Sequence, residues 1–197
     1  MEKDRLEAFS DGVIAIIITI MVLELRVPHG SGDDLNALKP LMPVFLSYLL
    51  SYIYLGIYWS NHHHLLKAVH RINGRVLWSN LLLLFWLSLI PFTTAWVGIN
   101  HWAAWLVALY GVILLCAGLS YFTLTRFLIH SHGRDSLLAM AVGKDEKGMI
   151  SVLMYAAAIP LAFVNTWISG VIYIFVAAMW MILDKRIERV LASAKPG

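Results

Sequence analysis

Two stretches of this sequence hold side chains whose types and spacing can do chemistry. In the first, Arg5, Phe9, Ser10 and Asp11 put a cation, an aromatic ring and two polar groups directly before the apolar run GVIAIIITIMVL, which Glu24 closes. In the second, His62, His63 and His64 stand in a row within YWSNHHHL. A carboxylate at membrane depth is costly unless it is paired, so Asp11 requires a partner. Arg5 lies six residues before it, a spacing that does not bring the two together on one helix face. Their closest partners are therefore expected on other helices, and the candidates at the same level are His62, His63, Trp78 and Asn80. The plainer alternative is a helix start at the membrane surface, with Ser10 and Asp11 among headgroups.

Three histidines raise the question of a metal. Adjacent positions on a helix diverge by about 100°, so the run does not converge on one ion and no metal site is expected. One or two of these rings are expected to face inward at the end of the second helix, and the rest to meet headgroups. Neither HExxH, GxSxG, a glycine-rich phosphate loop nor a favourably spaced carboxylate pair occurs. An enzyme is not expected, and no cofactor is implied. Cys116, alone inside GVILLCAGLS, excludes an intrachain disulfide or a CxxC pair and reads as packing.

The elements that must position these residues are membrane helices. The 197 residues are 60% hydrophobic and 14% charged, against about 25% charge in a soluble domain. Mean hydropathy is +0.74. With a net charge of only +3 and its cations dispersed, the chain shows no nucleic-acid footprint. No A-x-A site follows MEKDRLEAFSDG, so the first apolar segment reads as a retained helix.

Between Arg75 and Arg126 lie 50 residues without Asp, Glu, Lys or Arg, far more than the ~20 one spanning helix needs. They must cross twice, with the break at Gly98, Asn100 and His101 between Trp96 and Trp102. The 36 charge-free residues from Gly148 to Leu183 divide likewise at Asn165 and Thr166 beside Trp167. Only 12 residues separate Asp11 from Glu24. The first helix therefore either stops short of the bilayer or carries its acids at membrane depth. The prediction is an all-α polytopic membrane protein with six spans, near 6–26, 41–62, 76–97, 102–123, 148–164 and 167–183, forming one domain over 1–197. Thirteen Lys and Arg fall on one side of these spans and only Arg26 and Lys39 on the other, which places both termini in the cytoplasm. The basic tail after Leu183 is expected to continue the last helix, and RVPHGSGDD to form an external loop.

Finer patterns follow from the helical period. Ile16, Thr19 and Leu23, spaced i, i+3 and i+7 with Gly12 a turn below, form a narrow stripe on the first helix. Such a stripe is either ordinary packing or the lining of a symmetry axis among several copies. Ala104, Ala108, Gly111 and Gly118 recur on one side of the fourth span, where they allow close helix approach. Trp59, Trp78, Trp96, Trp102 and Trp167 read as interfacial anchors.

The pattern Arg5-x-x-x-Phe9-Ser10-Asp11 running straight into an apolar helix resembles the RxxxFSD signature of the transmembrane protein 175 family of potassium channels, in its prokaryotic single-repeat form. The resemblance extends over most of the chain, through six spans and the histidine-bearing end of the second. It implies a homotetramer in a prokaryotic cell membrane, permeable to K+ and other monovalent cations, with the first helix of each subunit lining the pore. It also implies that Ile16, Thr19 and Leu23 form the constriction, and that Arg5, Phe9, Ser10 and Asp11, together with His62, His63 and Asn80, form a structural network holding the pore helix. With no TVGYG-like segment, selection by carbonyl rings is unavailable; a hydrophobic constriction implies modest selectivity for K+ over Na+. The competing reading is an ion- or proton-coupled secondary transporter using Asp11, Glu24 and the histidines. Against it, no inverted repeat is discernible, and Pro91 and Pro160 are single breaks. A non-conducting membrane scaffold fits the composition equally well.

Overall fold

A computed structural model describes residues 2–26, 35–133, 136–143 and 145–183. All regular structure among them is helical. In chain order the α-helices are α1 (Lys3–Ile20), α2 (Met42–Lys67), α3 (Gly74–Ser88), α4 (Ile90–Ile99), α5 (Ala104–His132), α6 (Leu137–Val142), α7 (Glu146–Leu161) and α8 (Thr166–Leu183). Short 3-10 helices, Met21–Glu24 and Leu35–Leu41, extend α1 and precede α2. Most of the predicted RVPHGSGDD loop and the tail after Leu183 lie outside the described residues.

Four segments are long and apolar enough to cross a membrane: Lys3–Glu24, Leu38–Lys67, Gly74–Ile99 and Ala104–His132. The first has 22 residues, about 33 Å at 1.5 Å per residue, so Asp11 lies within a candidate span. The sequence segments 148–164 and 167–183 correspond to α7 and α8, which have 16 and 18 residues. The second long segment runs to Lys67, beyond the predicted end near His62, because Leu65 and Leu66 are completely buried and keep the helix packed for another turn.

Local chemistry explains where helices begin and break. Asn73 Oδ1 accepts from Val76 N at 3.0 Å and caps α3. Asp145 Oδ1 accepts from Gly148 N at 3.2 Å at the head of α7, and Asn165 Oδ1 accepts from Trp167 N at 2.9 Å at the head of α8. The predicted third span is two helices, α3 and α4, meeting at Leu89. Pro91 sits in the first turn of α4; lacking an N–H and clashing with the turn behind it, it interrupts the ladder there. Between α4 and α5, His101 and Trp102 both adopt left-handed backbone, φ 49° and 62°. That turn is held by Trp102 N donating to Val97 O at 3.0 Å and by the Trp102 ring stacked on Trp167, centroids 5.5 Å apart.

The long helix α5 is central, packing against α3, α4, α7 and α8, while α2 packs against α1, α4 and α8. Small residues allow the close approaches. A Cβ at Gly98 would stand 2.6 Å from Val44 Cα, and one at Gly111 would fall on the Tyr173 hydroxyl. Helix α1 lies at the edge of this bundle, against α2, α3 and α4.

Candidate pore helix and its anchoring network

The 100° step between residues divides α1 into two faces. Leu6, Ser10, Ile14, Ile17 and Met21 are buried against the bundle. Phe9, Gly12, Ile16, Thr19, Ile20 and Leu23 are exposed along the other side, Ile16 by 61% and Leu23 by 75%. Thr19 Oγ1 donates within its own helix, to Ala15 O or Ile16 O at 2.9 Å. Its hydroxyl oxygen faces outward with acceptor capacity left over.

Polar contacts concentrate at the N-terminal half of the inner face. Ser10 Oγ donates to Leu6 O at 2.8 Å and accepts from Asn80 Nδ2 at 2.9 Å. Asn80 Oδ1 in turn faces His62 Nε2 at 2.6 Å. An amide oxygen only accepts, so the proton of that contact belongs to His62 Nε2. The chain Ser10–Asn80–His62 thus ties α1, α3 and α2 together through three side chains that are all completely buried. His62 Nδ1 is enclosed without a hydrogen-bond partner.

A second pairing lies beside it. Trp59 Nε1 donates to Asp11 Oδ1 at 3.1 Å, and His63 Nδ1 lies 3.1 Å from Glu7 Oε1. Glu7 and Asp11 are one turn apart on α1, as are Trp59 and His63 on α2, so two antiparallel helices meet in two matched rungs. Lys3 Nζ, 3.9 Å from Glu7 Oε2, shares the lower rung.

Sequence reasoning named some of these residues and missed others. Ser10, Asn80 and His62 are brought together; Asp11 pairs with Trp59 and not with His62, Trp78 or Asn80. Trp59, read as an interfacial anchor, is a hydrogen-bond donor to α1, and Glu7 was not singled out at all. The available signal was the i, i+4 spacing of Glu7 and Asp11 matched by that of Trp59 and His63. Arg5 and Phe9 are exposed on the open face and take part in none of these contacts. Glu24 ends the 3-10 turn at the far end of the helix.

The family model described as endosomal/lysosomal potassium channel TMEM175 matches residues 5–91, which hold α1, α2, α3 and both pairings. A potassium channel of Chryseobacterium sp. (strain P1-3) is 49% identical over 191 residues, 97% of this chain and 98% of that protein. A potassium channel of Chamaesiphon minutus is 32% identical over 88% of this chain and 91% of its own. The crystal structure of a lysosomal potassium-selective channel TMEM175 homolog from Chamaesiphon minutus superposes with a TM-score of 0.80 at 29% identity, covering 91% of this chain and 96% of that one.

Proposed function

This chain belongs to the TMEM175 family as a prokaryotic member, and on that premise we propose that it is a potassium-permeable cation channel of the cell membrane. Four copies surround a pore lined by α1, and Ile16, Thr19 and Leu23 form its constriction. Each copy crosses the bilayer six times with both termini in the cytoplasm, α7 and α8 serving as the two shortest spans. A single transmembrane domain over 1–197 accounts for the whole sequence.

One observation carries this reading: α1 is pinned by polar contacts on one side and left open on the other. Lipid tails are as apolar as isoleucine, so an exposed apolar face alone does not require a partner in a membrane. What sets this face apart is Thr19 and Gly12 among its apolar residues, on a helix held firmly from behind. Ser10, Asn80, His62 and Asp11 act as the structural network that orients it. A ring of Ile16 and Leu23 gates by dewetting, and Thr19 supplies hydroxyl oxygens between them. Discrimination then depends on how readily an ion sheds water, which supports modest preference for K+ over Na+.

The secondary-transporter alternative needs a relay between Asp11 and Glu24. They stand 13 residues apart, about 20 Å along the helix, and Asp11 is already engaged by Trp59. No chain of titratable groups joins them among the described residues.

The test is conduction by the purified protein in a planar bilayer under a K+ gradient. Discrete single-channel steps are expected, and steady electroneutral flux without steps would favour the transporter. Within a conducting protein, Ile16→Asn should raise conductance and lower K+ over Na+ discrimination, while Ile17→Asn, on the buried face, should not reproduce that pairing of effects. If Ile16→Asn leaves both quantities unchanged, the stripe does not line the pore.

A further inference from the structure

Glu7, Asp11 and His63 stand apart from the other anchoring residues because their donor atoms face one another. One ligand atom from each lies within 4.8 Å of the other two. His63 Nδ1 and Glu7 Oε1 are only 3.1 Å apart, yet Nδ1 is enclosed and has no hydrogen-bond partner. Two donors that close, and not aimed at each other, are arranged as ligands to a common point. Tetrahedral zinc holds imidazole nitrogen at about 2.0–2.1 Å and carboxylate oxygen at about 2.0–2.2 Å, which sets neighbouring ligand atoms about 3.4 Å apart. The closest pair here needs to open by only a few tenths of an ångström, and the third ligand atom, within 4.8 Å of the other two, to close by at most about 1.4 Å.

We infer that Glu7, Asp11 and His63 bind a divalent transition-metal cation of the zinc class, bridging α1 to α2. The three adjacent histidines diverge from one another, so only His63 takes part; the remaining ligands come from the facing helix, a turn apart. One imidazole with two carboxylates suits zinc, whereas magnesium and calcium want cages of six or more oxygens. Three protein ligands leave the fourth position to water. The surroundings orient the ligands: Trp59 Nε1 fixes Asp11 Oδ1, and the Trp59 ring stacks on His63 with centroids 6.0 Å apart and planes inclined by 17°. Lys3, near Glu7 Oε2, is the competing charge that the ion displaces. Glu7 precedes Ile16 by nine residues and so lies about 180° around the helix from it. The ion therefore clamps α1 from behind and stands outside the line of Ile16, Thr19 and Leu23. This assignment depends on three side chains and not on the channel reading.

The experiment uses the intact protein in detergent, stripped with EDTA and titrated with Zn2+ by calorimetry, with Co2+ as a spectroscopic probe. One Zn2+ per chain is expected, with visible tetrahedral Co2+ bands that Zn2+ abolishes, excess Mg2+ having no effect. The melting midpoint should rise with Zn2+, since only the folded pairing supplies all three ligands. His63→Gln and Glu7→Gln should each weaken binding at least about tenfold, the loss seen even when an outer-shell partner is removed. Glu7→Gln keeps size and polarity at a half-buried position and so controls for misfolding. His64→Gln, in the same histidine run, should bind as the parent does. Absence of Zn2+ binding, competition by Mg2+, loss through His64→Gln, or binding that survives either His63→Gln or Glu7→Gln overturns the assignment.

Discussion

The two halves of the bundle are fastened by different mixtures of bond. Around α1, α2 and α3 the links join side chain to side chain: Ser10 to Asn80, Asn80 to His62, Trp59 to Asp11. Where α5, α7 and α8 pack on one another and on α2 the interior is rich in tyrosine, and several hydroxyls reach backbone, although Tyr110 pairs with Ser51 Oγ and Trp180 Nε1 with Ser151 Oγ. Tyr54 donates to Tyr173 O at 2.6 Å, Tyr173 to Val107 O at 3.0 Å and Tyr121 to Asn61 O at 3.3 Å. Their rings also contact one another, as Tyr110 and Tyr173 do at 5.7 Å. A side-chain pair needs both identities at once, whereas a backbone carbonyl is present whatever residue bears it. The first half should therefore tolerate substitution poorly at several positions together, and the second mainly at the tyrosines. The family model matches the first half.

The largest effect should come from Asn80→Leu, which removes the centre of a completely buried chain of bonds. It leaves His62 Nε2 and Ser10 Oγ without their partner, at roughly 1–3 kcal/mol for each stranded group. A large drop in the melting temperature is the expected outcome of a thermal melt. Gly111→Ala comes next, since its Cβ would displace the Tyr173 hydroxyl from Val107 O; overpacking of this kind costs about 1–3 kcal/mol. Asp11→Ala should follow at about 1–2 kcal/mol, because the carboxylate is half-buried and strands only Trp59 Nε1. Assembly should suffer before ion selectivity does; a normally assembled channel with altered selectivity would make Asp11 a pore-mouth charge. Tyr54→Phe should cost the least, about 1 kcal/mol, because the ring stays and only the hydroxyl's contacts with Tyr173 O and Tyr155 are lost. A double-mutant cycle between Ser10→Ala and Asn80→Ala sharpens the contrast, with coupling of about 0.6–1.7 kcal/mol expected. If Tyr54→Phe proves as damaging as Asn80→Leu, the distinction between the halves collapses.

Much of the fold was legible because membrane helices advertise themselves by length and charge. The turn after α4 was readable from Gly98, Asn100 and His101 between two tryptophans, and the head of α8 from Asn165, because polar caps interrupt an otherwise apolar run. The close approach at Gly111 was implied by small residues on one side of α5, with Tyr173 as the side chain it admits, whereas a Cβ at Gly118 would make only ordinary contact with Tyr155 and Tyr58. What could not be read was the pairing across helices. Periodicity places Asp11 and Trp59 on their own helices but says nothing of rotation between them, so Trp59 looked like an interfacial anchor. The break at Leu89 was signalled by Pro91, yet its effect depended on whether neighbours could supply the lost bond. The imidazole of His132 is a similar case. Its Nε2 accepts from His70 N and Arg71 N, each at 3.1 Å, closing the turn between α2 and α3 onto the end of α5, and no local pattern announces it.

The two-rung pairing of α1 with α2 restricts how α1 can move. If α1 slid by a single residue, about 1.5 Å, the rotation that accompanies it would carry both carboxylates off their partners together, so small axial steps lose both rungs and gain none. A shift of one full turn, about 5.4 Å, would instead bring Glu7 opposite Trp59 or Asp11 opposite His63, restoring one rung. The helix therefore behaves along its axis like a pawl on a rack, with stops a turn apart. Motion that keeps both rungs engaged is confined to tilting about this end, and the greatest sweep then falls at the far end, where Leu23 stands in the 3-10 turn.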